Sequence, residues 1–215
     1  SAVEHPAVLD AAAAAASEGF EVVRAPVDGT GRVDLGALAA ALSAPGPLPA
    51  LVSVMWANNE VGTVQPVAEV ARLAHAHGAV AHADAVQAVG AVPVDLGAAG
   101  LDALTVSGHK IGAPVGIGAL LTRRDVPIAP GSHGGGQERG VRSGTVPVAL
   151  AAALVALLVK PVLDPLPDKA PLQRPVAADR VPVLFEVADR VPHRVGVFAE
   201  DQRPVHFDPL HLPLR

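Results

Sequence analysis

The chain has no cysteine in 215 residues. That absence excludes disulfides, thiolate-ligated zinc, iron–sulfur ligation and a catalytic thiol supplied by these residues. Runs of like charge are also missing: 16 Lys and Arg face 21 Asp and Glu, for a net charge of -5. This balance argues against nucleic acid or an anionic membrane surface as the main partner. No apolar run reaches the roughly 20 residues of a membrane span. The longest, 146–159, contains Pro147 and is expected to be a buried helix. No basic stretch precedes the Ala-rich start, so no signal peptide is expected. A cytoplasmic protein with no nucleic acid and no membrane among its partners is the expectation. Ser rather than Met at position 1 is expected of a truncated start.

Glycine is abundant up to Lys160 and then nearly absent, with Gly196 alone beyond it, while proline recurs from Pro161 to Pro213. Proline at that density blocks helix interiors and central strands. The chain therefore divides into a body, 1–159, and a Pro-rich tail, 160–215, expected to be irregular. Within the tail a strand is expected at Val183–Val187 or Val195–Phe198. The segment Ala178–Pro182 repeats as Ala188–Pro192, a single short repeat that makes no solenoid.

What the body contains is an alternation of helical and strand patterns. Helices are expected over Pro6–Glu18, Asp34–Leu42 with Asp34 as N-cap, Val67–His77 ended by Gly78, and Thr145–Val159. Strands are expected over Phe20–Ala25, Leu51–Trp56, Ala79–Ala83, Ala103–Val106 and Gly118–Thr122. Strands separated by helices of about ten residues imply an α/β fold, a parallel or mixed sheet covered by helices. In such sheets ligands collect at the carboxyl ends of the strands. Three successive strands deliver polar residues there: Asn58, Asn59 and Glu60, then Asp84 and Gln87, then Ser107, His109 and Lys110.

Lys110 is the only lysine before residue 160 and sits where a strand enters a turn. A lysine held with its amine partly deprotonated is suited to bonding a carbonyl cofactor. Pyridoxal phosphate chemistry also requires a carboxylate beside the pyridine nitrogen, which Asp84 can supply. Gln87 can bond the ring oxygen, and Ser107 and His109 can hold phosphate. The competing readings are a solvated lysine in a Gly-rich turn and an Asp that caps the turn after a strand. His75, His77, His82 and Asp84 are set aside as a metal site because His75 and His77, two apart on a helix, diverge. The loop Gly134–Gly136 lacks the pattern of a nucleotide cradle. Arg139 and Arg142 are open to two roles, a carboxylate clamp or a dimer contact. Trp56 is expected in the core rather than in the pocket.

Four ordered motifs carry a resemblance: Asn58-Asn-Glu-Val-Gly62, His82-Ala-Asp-Ala-Val-Gln87, Ser107-Gly-His-Lys110, and His133-Gly-Gly-Gly-Gln-Glu-Arg139 running on to Arg142-Ser-Gly-Thr145. Together they resemble the cysteine desulfurases, in the class V aminotransferase group of fold-type I pyridoxal phosphate enzymes, over residues 4–158. The resemblance implies a partial large domain at 1–159 with a mostly parallel sheet flanked by helices. It implies pyridoxal 5'-phosphate as cofactor, L-cysteine as substrate, a sulfur-acceptor protein as partner and a place in iron–sulfur cluster assembly. Carried over by position, Lys110 is the lysine that bonds the cofactor and moves protons, Asp84 the pyridinium partner, and Gln87 the ligand of the phenolic oxygen. His5 is the histidine stacked on the ring, Asn59 the residue near substrate carboxylate and ring, and Ser107 and His109 are phosphate ligands. Thr145 reaches the phosphate of the partner subunit's cofactor, which implies a homodimer.

The family's reaction uses an enzyme cysteine that this chain lacks, and the Gly-rich turn and threonine that hold the phosphate upstream of His5 are also absent. Impaired activity is therefore expected, and the change in composition after about 159 is of the kind a frameshift leaves. The alternatives are a non-catalytic remnant that oligomerises through the surface around Thr145, and a pyridoxal phosphate lyase that works without a protein thiol.

Overall fold

The computed structural model describes residues 1–163 and 193–198. Helix α1, Pro6–Ser17, starts on His5, whose ring accepts from the Ala7 amide, and carries proline in its first turn, where no amide is lost. Helix α2, Leu35–Leu42, is capped by Asp34, which accepts from Ala37 N at 2.9 Å. Strand β1, Leu51–Ser53, leads to helix α3, Val67–Ala76, and Gly78 at φ 76° turns the chain into strand β2, Val80–Asp84. Strand β3, Ala103–Ser107, strand β4, Gly118–Arg123, helix α4, Val148–Leu163, and strand β5, His193–Phe198, complete the described elements.

The sheet has the order β1-β2-β3-β4-β5. The pairs β1–β2 and β2–β3 are parallel, whereas β3–β4 and β4–β5 are antiparallel, so four of the five described strands point the same way. The reversal has a simple cause. Only 108–117 separate β3 from β4, too few residues for the helical crossover that parallel neighbours need.

One face of the sheet is apolar. Val52, Val54, Ala81, Ala83, Leu104 and Val106 are buried there, and α3 closes over β1 and β2 with Val67, Val70, Ala71 and Ala74, a one-sided helical spacing. Side chains alternate along a strand, so the opposite face receives Ser53, His82, Asp84, Thr105 and Ser107. Polar residues are thus gathered on one side by periodicity alone.

Several elements differ from the sequence pattern. Phe20–Ala25 forms no strand; Phe20 and Val23 are each 62% exposed. β-branched residues favour an extended backbone, but a strand exists only with a neighbour. Here the neighbour is the N-terminal segment, reached by one bond from Ala2 N to Ala25 O at 2.9 Å. Helix α4 begins at Val148 rather than Thr145, because the residue before Pro147 is driven to extended backbone. At its far end α4 runs to Leu163, beyond the expected boundary at 159, and β5 includes the expected Val195–Phe198 strand. The Val183–Val187 expectation lies outside the described residues. Among the described residues no helix is long and apolar enough to cross a membrane.

Candidate functional site

Asp84 closes β2 and is 9% exposed. One carboxylate oxygen accepts the Val86 amide at 2.9 Å, and among the described residues the other takes no protein donor. Burial pushes its carboxyl above the usual carboxylate range; the Val86 hydrogen bond opposes this, Glu4 adds to it and His5 opposes it. Beyond it, residues 85–91 form successive turns closed by Ala88 N to Ala85 O at 2.9 Å and Val89 N to Ala85 O at 3.1 Å. Half-buried Gln87 sits on these turns.

The neighbouring strand β3 ends in Ser107, whose hydroxyl meets His109 Nδ1 at 2.8 Å. His109 and Lys110 lie on a 3-10 turn, Gly108–Ile111, that opens directly from the strand, and both are exposed. Gly108 makes this turn possible. A Cβ there would stand 2.7 Å from Ile117 Cγ2 and 3.0 Å from Ala113 Cβ. Gly108→Ala is expected to destabilise the chain by about 1–3 kcal/mol through overpacking and to displace Lys110. Thermal unfolding checks the first effect, and unchanged stability would refute the close packing. A cavity of about 350 Å³ beside the turn is lined by Val86, Thr105, Ser107, Gly118 and Leu120.

After β1 the chain makes a turn in which Asn58 and Asn59 have different fates. Asn58 is buried and fully engaged: Oδ1 accepts Glu60 N at 2.8 Å and Val61 N at 2.9 Å, and Nδ2 donates to Val3 O at 2.9 Å. Asn59 is exposed. His5 is exposed at the head of α1, with Nδ1 accepting Ala7 N at 3.2 Å. That bond leaves the proton of a neutral ring on Nε2. His5 is close enough to Asp84 to lower its proton affinity.

The structure therefore brings Asp84, Gln87, Ser107, His109 and Lys110 to adjacent strand ends, with His5 nearby. Thr145 is exposed in the segment before α4 and makes no hydrogen bond to this group among the described residues. The loop leading to it is braced internally, by Ser143 N to Ser132 Oγ and Gly144 N to Gln137 Oε1, both at 3.1 Å. Glu138 and Arg139 hold left-handed backbone there. Arg142 is buried and donates to Gly144 O at 3.3 Å. Trp56 is buried in the core, as expected.

Two residues to which the motifs assign no role stand close to the site. Glu4 is buried beside β1, where its Oε1 accepts Met55 N at 2.9 Å and, among the described residues, its Oε2 has no partner. His82, rejected above as a metal ligand, has both ring nitrogens engaged: Nδ1 with Ser53 Oγ and Nε2 with Thr105 Oγ1, each at 2.8 Å. Burial pushes its pKa down to about 4 against the pull of Glu4, so the ring is neutral at pH 7. Its position two before Asp84, hence on the same face, was the available signal. Among the described residues no group of His, Asp and Glu could hold a metal ion.

A sequence model of the family described as Aminotransferase class-V matches residues 1–159. Among curated relatives, an IscS-like cysteine desulfurase of Mycobacterium tuberculosis is 53% identical over 150 residues, which cover 69% of this chain and 38% of that protein. The cysteine desulfurase NifS of Azotobacter vinelandii is 51% identical over 143 residues, covering 66% and 35%. Among solved structures, a NifS-like protein superposes with a TM-score of 0.68 at 42% identity, covering 73% of this chain and 43% of that one. DndA from Streptomyces lividans gives 0.64 at 42% identity, covering 73% and 45%. The chain thus spans well under half the length of each of these proteins.

Proposed function

Because the chain belongs to the class-V aminotransferase family, and within it to the pyridoxal phosphate-dependent cysteine desulfurases, we propose that residues 1–159 hold pyridoxal 5'-phosphate for the desulfuration of L-cysteine. The observation that carries this reading is the pairing at adjacent strand ends of a buried carboxylate with one uncommitted oxygen, Asp84, and an exposed primary amine, Lys110. These groups fit the cofactor, which needs an acceptor for its ring N–H and an amine for its aldehyde.

When bound, the cofactor supplies an electron sink that acidifies the substrate Cα. The residues provide the rest. Asp84 would accept the ring N–H and favour its protonated form. Gln87 would donate to the ring oxygen, Ser107 and His109 would hold phosphate oxygens, and His5 would contact the ring. Lys110 Nζ takes the Cα proton and returns one to the product side. Asn59 orients the substrate carboxylate. Thr145 serves the site of a second copy, so the working form is a homodimer, and the same reading assigns it to the cytoplasm.

The 215 residues hold no cysteine, so the acceptor thiol in this reading lies outside them, as on a sulfur-acceptor protein. The balance is L-cysteine plus acceptor thiol to alanine plus acceptor persulfide: the substrate C–S bond breaks and one S–S bond forms. Such a persulfide is the sulfur source that iron–sulfur cluster assembly needs. The test is to add pyridoxal 5'-phosphate to the full chain, record the visible band of lysine-bound cofactor, then add L-cysteine with a small thiol and measure alanine. The band and thiol-dependent alanine are the expected results; a chain that takes up no cofactor would sink the reading.

A further inference from the structure

Resting on that cofactor-binding reading, we infer that His82 is a positioning residue, its imidazole tying together the three strands whose ends carry the cofactor-facing side chains. β1 leads to the Asn58–Asn59 turn, β2 to Asp84 and Gln87, and β3 to Ser107, His109 and Lys110. One ring bridges all three, from Ser53 on β1 through His82 on β2 to Thr105 on β3, by two hydrogen bonds of 2.8 Å. Ser53 is the register partner of His82, and Thr105 is the register partner of Asp84 itself. The bridge therefore crosses the sheet one pleat below the carboxylate, on the face that carries it.

Backbone ladders already join these strands, the last rungs being Trp56 N to Asp84 O at 2.7 Å and Ala85 N to Thr105 O at 2.9 Å. Those rungs lie at the level of Asp84 and just beyond it, and the side-chain bridge one pleat below supplies a second line of attachment on the face that carries the carboxylate. A neutral imidazole with both nitrogens engaged leaves no buried polar atom unpaired. Replacing both partners of a buried hydrogen bond by apolar groups of similar shape is nearly neutral for stability. Stability alone therefore gives a weak reason for Ser, His and Thr here, whereas directional bonds hold lateral spacing as apolar packing does not.

The experiment compares Ser53→Ala, Thr105→Val and His82→Phe, singly and combined, in the full chain. Titration with pyridoxal 5'-phosphate gives the apparent dissociation constant from the visible band, and thermal unfolding without cofactor gives stability. Each single change is expected to weaken cofactor capture by about 3–10-fold, of the order of one lost hydrogen bond. The two hydroxyl losses are expected to add nothing in the His82→Phe background, because all act through one ring. His82→Gln, which keeps one donor and one acceptor, is expected to recover part of the loss. Folded variants that bind as tightly as the unaltered chain, or losses that multiply independently of His82, overturn the inference. Should His82→Phe not fold, the coupling between Ser53→Ala and Thr105→Val decides in its place. An unaltered chain that fails to capture the cofactor overturns the functional reading instead.

Discussion

Lys110→Ala is expected to abolish the visible band of lysine-bound cofactor and to lower any alanine formation from L-cysteine by on the order of 10³-fold or more, as removal of a covalent catalytic group does. No other lysine occurs before residue 160, so none within the body can take its place. Its side chain is exposed on the strand-to-turn segment Ser107–Ile111. Because the side chain is exposed, the substitution should leave stability within about 0.5 kcal/mol, and activity loss will not be confused with unfolding. Lys110→Arg separates two roles: it keeps the positive charge and removes the amine able to bond an aldehyde. Equal loss in both variants assigns the function to covalent bonding. Lys160 and Lys169 remain in the altered chain, so a band that survives Lys110→Ala would show capture elsewhere and refute the assignment.

Much of this site was legible because it depends on short-range rules. The ends of β2 and β3 could be read from their apolar runs, although β1 stops at Ser53, short of the expected Trp56, and the rule that ligands gather at carboxyl strand ends placed Asp84, Ser107 and Lys110 on one rim. The fate of Asn58 and Asn59 was not legible. Adjacent asparagines differ only in which way the turn points them, and that depends on Val3 and Met55, each reached by a Nδ2 bond. Phe20–Ala25 shows the same limit on a larger scale, since its composition records extended backbone but not the presence of a partner strand. The role of His82 was not legible for another reason. Its neighbours His75 and His77 drew attention to metal chemistry, whereas alternation along β2 placed it beside Asp84 and its partners on adjacent strands. His75 in fact meets Asp102 Oδ2 at 2.7 Å, at the opposite ends of the strands from Asp84.

Asp84→Asn is expected to move stability and function in opposite directions. Asparagine has the same shape and keeps an oxygen to accept the Val86 amide, so the turn after β2 survives. In the folded chain burial raises the Asp84 pKa above its ordinary 3.8. The folded state then holds this proton more tightly than the unfolded one, and stability falls as pH rises from about 3.8 through the folded pKa, remaining lower above it. At pH 7 the cofactor-free chain bears the cost of a buried carboxylate that the amide does not bear. Its melting temperature is expected to rise by a few degrees, the response of a chain of this size to about 1 kcal/mol. The same change removes the negative charge that keeps the ring nitrogen protonated, and the loss of one such electrostatic contact costs about 10²–10³-fold in rate. The melting curve of the cofactor-free variant should approach that of the unaltered chain as pH is lowered below 3.8, where the Asp84 carboxyl is protonated in both the folded and the unfolded chain. A variant less stable than the parent at pH 7 would show that Asp84 holds the fold together, whereas a more stable variant with lost activity would show a carboxylate kept at the expense of the fold for a cation it binds.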